Sequence, residues 1–214
     1  MFREQAVGLI EGGADLLLIE TQQDILETKA AVHGAWRAFE ETGKRIPVQT
    51  QITLDTSGRM LLGTDIAAAL TTLEALPIVD VIGLNCSTGP DYMREPVRYL
   101  TAHSRKPISV IPNAGLPLNV DGQAVYPMKP VPLAETLTQF VTELGVSVVG
   151  GCCGTTPEHL KEVIVRVRGL KPKIREIEYE PMISSAMRAI PLHQDPAPMI
   201  VGERVNSQGS RKIK

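Results

Sequence analysis

The sequence predicts an α/β fold in which helices pack on a parallel β-sheet, and three observations support this fold class. Short apolar runs alternate with longer segments whose apolar residues recur at helical spacing, the pattern of consecutive βα units. The run at residues 16–19 is continuous in Leu and Ile, as expected for a strand buried on both faces of a parallel sheet. Only 4% of the 214 residues are aromatic, which suits helices packed on parallel strands.

Local signals place the elements of the first half of the chain. The opening helix ends at Gly12 and Gly13, because glycine is favoured just past the end of a helix. Asp24 and Glu27 resemble a capping box at the start of the second helix, and Gly43 ends that helix. Strands are predicted at residues 15–21, 46–53, 79–85, 107–111 and 146–149.

Similar signals place the elements of the second half. Thr156 and Pro157 mark the last helix, with Thr as N-cap and Pro at the first helical position. Residues 116–132 are rich in Pro, Gly, Asn and Asp and are predicted to form a long loop, a type of segment that often carries function. The βα pattern stops at residue 169, and residues 170–198 are predicted to be an irregular linker. Helices are predicted at residues 2–12, 24–41, 64–76, from 91, 133–144 and 157–168.

Composition and charge exclude several classes of protein. The chain is 43% hydrophobic and 21% charged, as in ordinary globular domains. A net charge of −2 provides no basic footprint for nucleic acid, and no apolar run approaches the ~20 residues of a membrane span. The N-terminus lacks the pattern of a signal peptide, and only three cysteines are present. We therefore expect a cytoplasmic protein with no nucleic-acid or membrane partner.

All three cysteines lie at the carboxyl ends of predicted strands. Cys86 ends the third strand, and Cys152 and Cys153 follow the fifth strand between glycines. The glycines permit a tight turn and a close approach of the backbone to a ligand. The helix that follows favours thiolate over thiol near its N-terminus. Three thiols at strand ends suggest a single metal site.

The cysteines also have structural interpretations that involve no metal. A free cysteine is often a small buried hydrophobe, and no CxxC pattern is present. A disulfide between Cys152 and Cys153 is disfavoured, because the Cα atoms of adjacent residues are only ~3.8 Å apart, below the usual range. From the residues alone, a three-thiolate zinc site and buried thiols both stay open.

Three motifs together resemble those of a known family. They are Gly-Leu-Asn-Cys at 83–86, Pro-Asn-Ala-Gly at 112–115 and Gly-Gly-Cys-Cys-Gly-Thr-Thr-Pro at 150–157. In this order they resemble the homocysteine-binding domain of cobalamin-dependent methionine synthases, and the resemblance covers nearly the whole chain. It implies that Cys86, Cys152 and Cys153 hold a zinc ion. It also implies a methyltransferase in which zinc activates the homocysteine thiolate for methyl transfer, giving methionine.

The same resemblance implies the cofactors and partners. The methyl donor would be methylcobalamin carried on another module of the same enzyme, regenerated from methyltetrahydrofolate on the following domain. The tail at residues 199–214 resembles the first strand of that pterin-binding domain. Homocysteine would be the substrate, and no catalytic residue beyond the metal site is implied.

A partial barrel is a further implication of the resemblance. The family domain is a TIM-type (β/α) barrel of eight units, whereas this sequence has five predicted strands. Residues 1–169 are therefore expected to be about the last five βα units of an N-terminally truncated barrel, with the site at the carboxyl ends of the strands. Residues 170–198 follow as the linker, and residues 199–214 as the truncated start of the next domain.

Three residues are candidate substrate contacts. The resemblance implies that Glu20 binds the substrate ammonium group, and the alternative is a solvated or helix-capping carboxylate. Asn113 would orient substrate or fill the fourth metal position with its oxygen, unless it is only a turn residue. Asn85 would contact substrate or only cap the turn before Cys86. The four histidines are expected at the surface: His33, His103, His159 and His193.

Two other functions stay open. One is a cobalamin-independent homocysteine methyltransferase that uses betaine or S-methylmethionine, although the tail at residues 201–206 argues against it. The other is an inactive, truncated zinc-binding fragment. A barrel that lacks strands exposes the edges of its sheet and lacks any substrate contacts that those strands would supply.

Overall fold

The structure is a computed structural model that describes residues 1–202. The strand expected within residues 199–214 falls mostly on residues 203–214, which lie outside the described range, and residues 199–202 form no strand. The helices of the described range are α1 (Phe2–Glu11), α2 (Ile25–Thr42), α3 (Ile66–Glu74), α4 (Pro90–His103), α5 (Pro130–Leu144) and α6 (Pro157–Val167). The strands are β1 (Leu17–Gln22), β2 (Val48–Ile52), β3 (Val81–Asn85), β4 (Ile108–Ile111), β5 (Leu118–Val120), β6 (Gln123–Val125), β7 (Val148–Val149), β8 (Met182–Ser184) and β9 (Ala189–Pro191).

Five strands form one parallel sheet in the order β1-β2-β3-β4-β7. Each of these strands pairs in parallel with the next, and a helix lies in every connection between them. The α/β class and the five predicted strands are therefore confirmed. β1 and β7 are the outer strands, so the sheet is open within residues 1–202 and does not close into a barrel.

The two faces of the sheet differ in polarity because side chains alternate along a strand. On one face, the Nε2 atoms of Gln49 and Gln51 both donate to Ser109 Oγ, at 3.0 and 2.8 Å. Gly83 leaves room for this cluster, since a Cβ there would lie 2.3 Å from the Ser109 carbonyl oxygen. The other face carries buried apolar residues of the helix-packed core: Val48, Ile52, Ile82, Leu84, Ile108 and Val110.

Several helix ends follow the local signals in the sequence. Asp24 Oδ1 accepts a hydrogen bond from the Glu27 N–H at 2.7 Å, which caps α2. Gly43 ends that helix with φ of 66°, in the left-handed region that favours glycine. Thr156 is the N-cap of α6, and Pro157 is its first residue. The predicted starts of α2 and α6 are thus confirmed.

The long loop predicted at residues 116–132 is wrong in part. β5 and β6 form an antiparallel hairpin within it, and α5 begins at Pro130. Asp121 and Gly122 form the hairpin turn with φ of 52° and 80°, and Asn119 Oδ1 accepts from the Gly122 N–H at 2.9 Å. An Asp-Gly pair between β-formers is a strong hairpin signal, and the richness of the segment in turn residues obscured it.

The segment predicted as an irregular linker is partly ordered into a hairpin and docks on the helices. β8 and β9 pair in an antiparallel manner. The Lys173 N–H donates to the Val141 carbonyl at 3.0 Å, and Thr64 Oγ1 donates to the Ala186 carbonyl. Residues 173–186 therefore run from α5 to the start of α3.

No helix within residues 1–202 is both long enough and apolar enough to span a bilayer.

Candidate metal centre

The structure brings the three cysteine sulfurs together at the carboxyl edge of the sheet. Cys86 follows β3, and Cys152 and Cys153 follow β7. Cys153 Sγ lies 3.7 Å from Cys86 Sγ and 3.9 Å from Cys152 Sγ. All three sulfur atoms lie within 4.8 Å of one another, and none forms a disulfide.

The spacing of the sulfurs fits a zinc ion. Zinc binds thiolate at about 2.3 Å in tetrahedral geometry, which places neighbouring sulfurs about 3.8 Å apart. The two distances of 3.7 and 3.9 Å match that edge length. Thiolates are soft ligands that suit zinc. Three protein ligands leave a fourth position open, as in catalytic zinc sites.

The turn after β3 has an unusual backbone. Cys86 and Ser87 have φ of 61° and 62°, in the left-handed region that costs non-glycine residues about 1–3 kcal/mol each. The Cys86 N–H donates to the Ile111 carbonyl at 3.1 Å, and the Thr88 N–H donates to the Cys86 carbonyl at 2.7 Å. These bonds hold the chain in a sharp reversal at the edge where the thiols meet.

The turn that carries Cys152 and Cys153 is bonded to the segment after β4. The Cys152 N–H donates to the Pro112 carbonyl at 2.8 Å, and the Ala114 N–H donates to the Cys153 carbonyl at 2.9 Å. The buried Asn113 side chain accepts from the Cys153 N–H through Oδ1 at 3.0 Å. The Pro-Asn-Ala-Gly segment therefore fixes the position of both cysteines.

Asn85 joins the first and third strands beneath the thiols. It is completely buried. Its Oδ1 accepts from the Thr21 N–H at 2.8 Å, and its Nδ2 donates to Thr21 Oγ1 at 2.8 Å. Nδ2 also lies 3.9 Å from Cys152 Sγ, within reach of a weak N–H···S hydrogen bond. Both ends of this amide are thus occupied by the protein.

The electrostatics of Cys152 disfavour a free thiolate. Burial, the charge of the neighbouring Cys86 thiolate and its hydrogen bond raise the pKa of Cys152 to about 12. In the absence of a cation the Cys152 thiol is therefore protonated at neutral pH. A divalent ion at the centre of the three sulfurs would reverse this balance, because metal binding displaces the thiol proton.

The family of the chain follows from its similarity to known proteins. The family model for homocysteine S-methyltransferase matches residues 1–167. The chain belongs to the homocysteine S-methyltransferase family. It is thus a member of a family of methyltransferase enzymes, and the resemblance inferred from its three motifs is confirmed.

Two methionine synthases are close relatives of this family member. The chain is 50% identical over 213 residues to the methionine synthase of Mycobacterium tuberculosis. It is 49% identical over 218 residues to that of Mycobacterium leprae. Both matches cover 100% of this chain and 18% of the relative, so the chain spans less than a fifth of either protein.

Solved structures share its fold. The apo form of the homocysteine methyltransferase MmuM from Escherichia coli superposes with a TM-score of 0.58 at 23% identity, covering 77% of this chain and 56% of that chain. The metallated form gives a TM-score of 0.56 at 22% identity and covers 52% of that chain. At this identity the likeness shows the α/β fold alone.

Glu20 occupies a different environment from the cysteines. It lies on the outer strand β1 and is exposed. Its backbone oxygen accepts from Gln22 Nε2 at 3.0 Å, and its carboxylate forms no hydrogen bond or ion pair within residues 1–202. The assignment of Glu20 to the substrate ammonium group stays a prediction.

The histidines of this family member lie mainly as expected, with one exception. His33 and His193 are exposed, and the half-buried His103 bonds the Glu178 carbonyl through Nδ1 at 2.9 Å. The expectation that His159 lies at the surface is wrong, since only 7% of it is exposed. Its Nδ1 accepts from the Thr156 N–H at 3.1 Å, and its Nε2 donates to the Met128 carbonyl at 2.9 Å. His159 therefore caps α6 and is not a metal ligand.

Tyr126 is a residue of the site that sequence reasoning missed. It follows the β5–β6 hairpin and packs against Gly154, the residue after Cys153. Burial and the negative charge of the three cysteines raise the pKa of Tyr126. No local motif marks this position, because the contact joins the hairpin to a turn that lies far along the chain.

Proposed function

We propose that this chain is the homocysteine-binding module of a cobalamin-dependent methionine synthase. In this proposal Cys86, Cys152 and Cys153 hold a zinc ion, and the open fourth position accepts the sulfur of homocysteine. The observation that carries the proposal is the convergence of three sulfurs at the spacing of a tetrahedral zinc site.

The chemistry follows from the reactivity of thiols. A free alkyl thiol has a pKa near ~8.5 and is mostly protonated at neutral pH, whereas the thiolate is the nucleophile. Bound zinc would supply the positive charge that keeps a coordinated substrate thiol deprotonated. The three cysteines make the site rich in electrons, which keeps the substrate sulfur reactive towards a methyl group. The product of that transfer is methionine.

The methyl donor and the other modules are also part of the proposal. The donor is methylcobalamin on another module, regenerated from methyltetrahydrofolate on the domain that follows. The coverage of only 18% of each methionine synthase relative supports further modules beyond this chain. Free thiols at the site need a reducing compartment, which supports a cytoplasmic location.

The domain organisation that we propose follows the same relatives. Residues 1–169 would be the C-terminal part of a TIM-type barrel, residues 170–198 the linker, and residues 199–214 the start of the pterin-binding domain. The open sheet between β1 and β7 and the match to 56% of a homocysteine methyltransferase chain support a barrel completed by further strands.

The substrate contacts that we propose are Glu20 for the ammonium group and Asn113 for orientation of substrate near the metal. Asn113 is buried next to the thiols and bonded to Cys153, which supports a role at the site. The amide of Asn85 is occupied by Thr21, so any effect of Asn85 on substrate would be exerted through Cys152.

A metal measurement on purified variants tests the proposal. The wild-type chain should contain about one zinc per molecule, and Cys152→Ser should retain less than about a tenth of that, because two thiolates hold zinc poorly. Ser147→Ala is the matched control, since Ser147 is exposed near the start of the same strand. Full zinc occupancy in Cys152→Ser would refute the site.

The activity of the same chain distinguishes the remaining alternatives. Methionine formed from homocysteine and methylcobalamin supports a methionine synthase module. Methionine formed only with betaine or S-methylmethionine would indicate a cobalamin-independent enzyme. Zinc binding with no product from any donor would indicate an inactive zinc-binding fragment.

A further inference from the structure

The first strand of the sheet is irregular where it reaches the metal centre. Two of its residues, Glu20 and Thr21, lie opposite the single residue Gln51 of β2, because the register of the parallel pair shifts there. Thr21 also has a φ of 57°, which is rare for a β-branched residue. Bulges re-aim side chains and are common next to active sites, and a residue in such a conformation persists only where its surroundings hold it.

The contacts that hold Thr21 come from the side chain of Asn85. The Thr21 N–H donates to Asn85 Oδ1, and Asn85 Nδ2 donates to Thr21 Oγ1, both at 2.8 Å. Because a backbone N–H can only donate, it fixes which end of the amide is the oxygen. The amide nitrogen therefore faces the Thr21 hydroxyl, and its second hydrogen is left for a further acceptor.

That further acceptor is a sulfur of the metal centre. Asn85 Nδ2 lies 3.9 Å from Cys152 Sγ, within reach of an N–H···S hydrogen bond. Asn85 directly precedes Cys86, and its carbonyl accepts from Thr53 Oγ1 at 2.9 Å. Since Asn85 is completely buried, protein groups alone determine the direction of its amide. The contact with Cys152 thus depends on the orientation that Thr21 imposes.

We propose that Thr21 is a positioning residue of the metal centre, whose hydroxyl holds the Asn85 amide in the orientation that donates to the Cys152 sulfur. This inference rests on the proposed zinc site. Three thiolates and a divalent ion leave a net charge of about −1, and an N–H donor beside a sulfur offsets part of that charge. Outer-sphere partners of this kind orient metal ligands and strengthen metal binding.

Two substitutions of Thr21 separate its hydroxyl from its shape. Thr21→Val keeps the β-branched shape but leaves the Asn85 N–H against a methyl group, which displaces the amide because a buried donor without a partner is costly. We expect its zinc affinity to fall about tenfold, as for other outer-sphere partners. Thr21→Ser keeps the hydroxyl and should bind zinc as tightly as the wild-type chain.

The absorption spectrum of the full chain loaded with Co²⁺ instead of zinc provides a readout that a loss of stability alone does not move. In Thr21→Val the thiolate-to-metal charge-transfer band should move to longer wavelength, because a sulfur without its hydrogen bond gives up electron density more easily. Thr142→Val is the matched control, since Thr142 is exposed on α5 and its hydroxyl bonds only the Thr138 carbonyl of the same helix, at 3.0 Å. If Thr21→Val does not fold, Thr21→Gly replaces it, because glycine adopts this φ without steric cost.

The outcomes separate this inference from the proposed function. Weaker zinc binding and a red-shifted band in Thr21→Val, with wild-type behaviour in Thr21→Ser and Thr142→Val, support the role of the hydroxyl. Identical affinities and spectra in Thr21→Val and the wild-type chain would overturn it while leaving the zinc site intact. Equal losses in Thr21→Val and Thr21→Ser would also overturn it, as would a band at shorter wavelength, because the amide would then bond Cys152 more strongly without Thr21. Failure of the wild-type chain to bind Zn²⁺ or Co²⁺ would overturn the metal centre itself, and this inference with it.

Discussion

Cys152 shows how burial and ionisation oppose each other at the scale of a single residue. Burial and the neighbouring Cys86 thiolate hold its pKa far above the ordinary value, at about 12. Its sulfur nevertheless lies 3.9 Å from that of Cys153, the spacing of neighbouring ligands in a tetrahedral zinc site. The residue is therefore inert as a free thiol and well placed as a ligand.

The pH dependence of the metal-free chain should report this raised pKa. An unfolded Cys152 ionises near pH 9.0, whereas the folded residue keeps its proton until about 12. Between these values the unfolded chain binds fewer protons, so the free energy of unfolding must fall as the pH rises. Urea unfolding of the metal-free chain at several pH values measures this fall.

Cys152→Ser is the comparison for that measurement, because serine does not ionise in this range. The wild-type chain should lose more stability than the variant as the pH rises from about 9 towards about 12. Equal losses in the two proteins would mean that the Cys152 pKa is not raised by the fold.

For single residues, the sequence identified which side chains belong to the site but not which groups those side chains contact. The three cysteines were identified because thiols at strand ends have few structural reasons to occur together. The expected surface position of His159 was wrong. Thr156 lies three residues before it, which is the spacing of a capping box. Tyr126 had no such signal, since Gly154, against which its ring packs, belongs to a distant turn.

At the scale of secondary structure, β3 and β4 together position the metal centre. β3 ends immediately before Cys86, and β4 leads into the segment that binds the Cys152 and Cys153 backbone. The two strands pair along their length, with Gly83 opposite Ser109. Any change that separates them should weaken both the sheet and the approach of the thiols.

Gly83→Ala should separate these strands. Its Cβ would lie 2.3 Å from the Ser109 carbonyl oxygen and 2.8 Å from Ser109 Cβ. We expect a loss of about 1–3 kcal/mol in the free energy of unfolding, the usual cost of overpacking, and a lower zinc content. Urea unfolding and elemental analysis measure the two effects.

Gly8→Ala is the control for that substitution. Gly8 is exposed in α1, with no atom within 4 Å of an added Cβ, so alanine should raise stability by about 0.4–1 kcal/mol. Equal stabilities for Gly83→Ala and the wild-type chain would show that β3 and β4 adjust without cost.

The elements themselves were well predicted where the pattern was periodic. Short apolar or alternating runs in the sequence marked the five sheet strands, and this signal does not depend on contacts with distant residues. The hairpins β5–β6 and β8–β9 were missed because each strand has only three residues. Such short strands carry too few residues for an alternation to stand out.

At the scale of the whole molecule, Arg175 is one of the residues that hold the docked segment after α6 against the end of α4. Arg175 donates to the carbonyls of Thr101, Ser104 and Lys106 at 3.3, 3.1 and 2.8 Å. The Thr101 and Ser104 oxygens lie at the carboxyl end of α4, where cations are favoured. Burial lowers the pKa of Arg175 from its ordinary value, without removing its charge at neutral pH.

Arg175→Ala should release this segment without disturbing the thiols. We expect faster proteolysis between residues 174 and 191 and faster amide exchange at Glu178, whose N–H donates to the Ala102 carbonyl at 2.8 Å, because exposed loops are cut first. Zinc content should not change. Limited proteolysis and hydrogen exchange measure the first two effects.

Arg188→Ala provides the matched control, since Arg188 is exposed on the β8–β9 hairpin and the charge change is the same. Equal proteolysis rates in Arg175→Ala and Arg188→Ala would mean that the arginine contacts do not hold the segment.

Local pattern was sufficient to establish the α/β class, the five strands, most helix boundaries and the cysteines as the candidate ligands, because periodicity, caps and residue type are properties of short segments. The tertiary structure decided what depends on contacts between segments distant in the chain. These are the spacing of the Cys86 sulfur from Cys153, the bonds of Asn85 and Asn113, the placement of Tyr126 and the docking of residues 173–186. The physical reason is that hydrogen bonds and burial at the site join turns that only the parallel sheet brings to one edge.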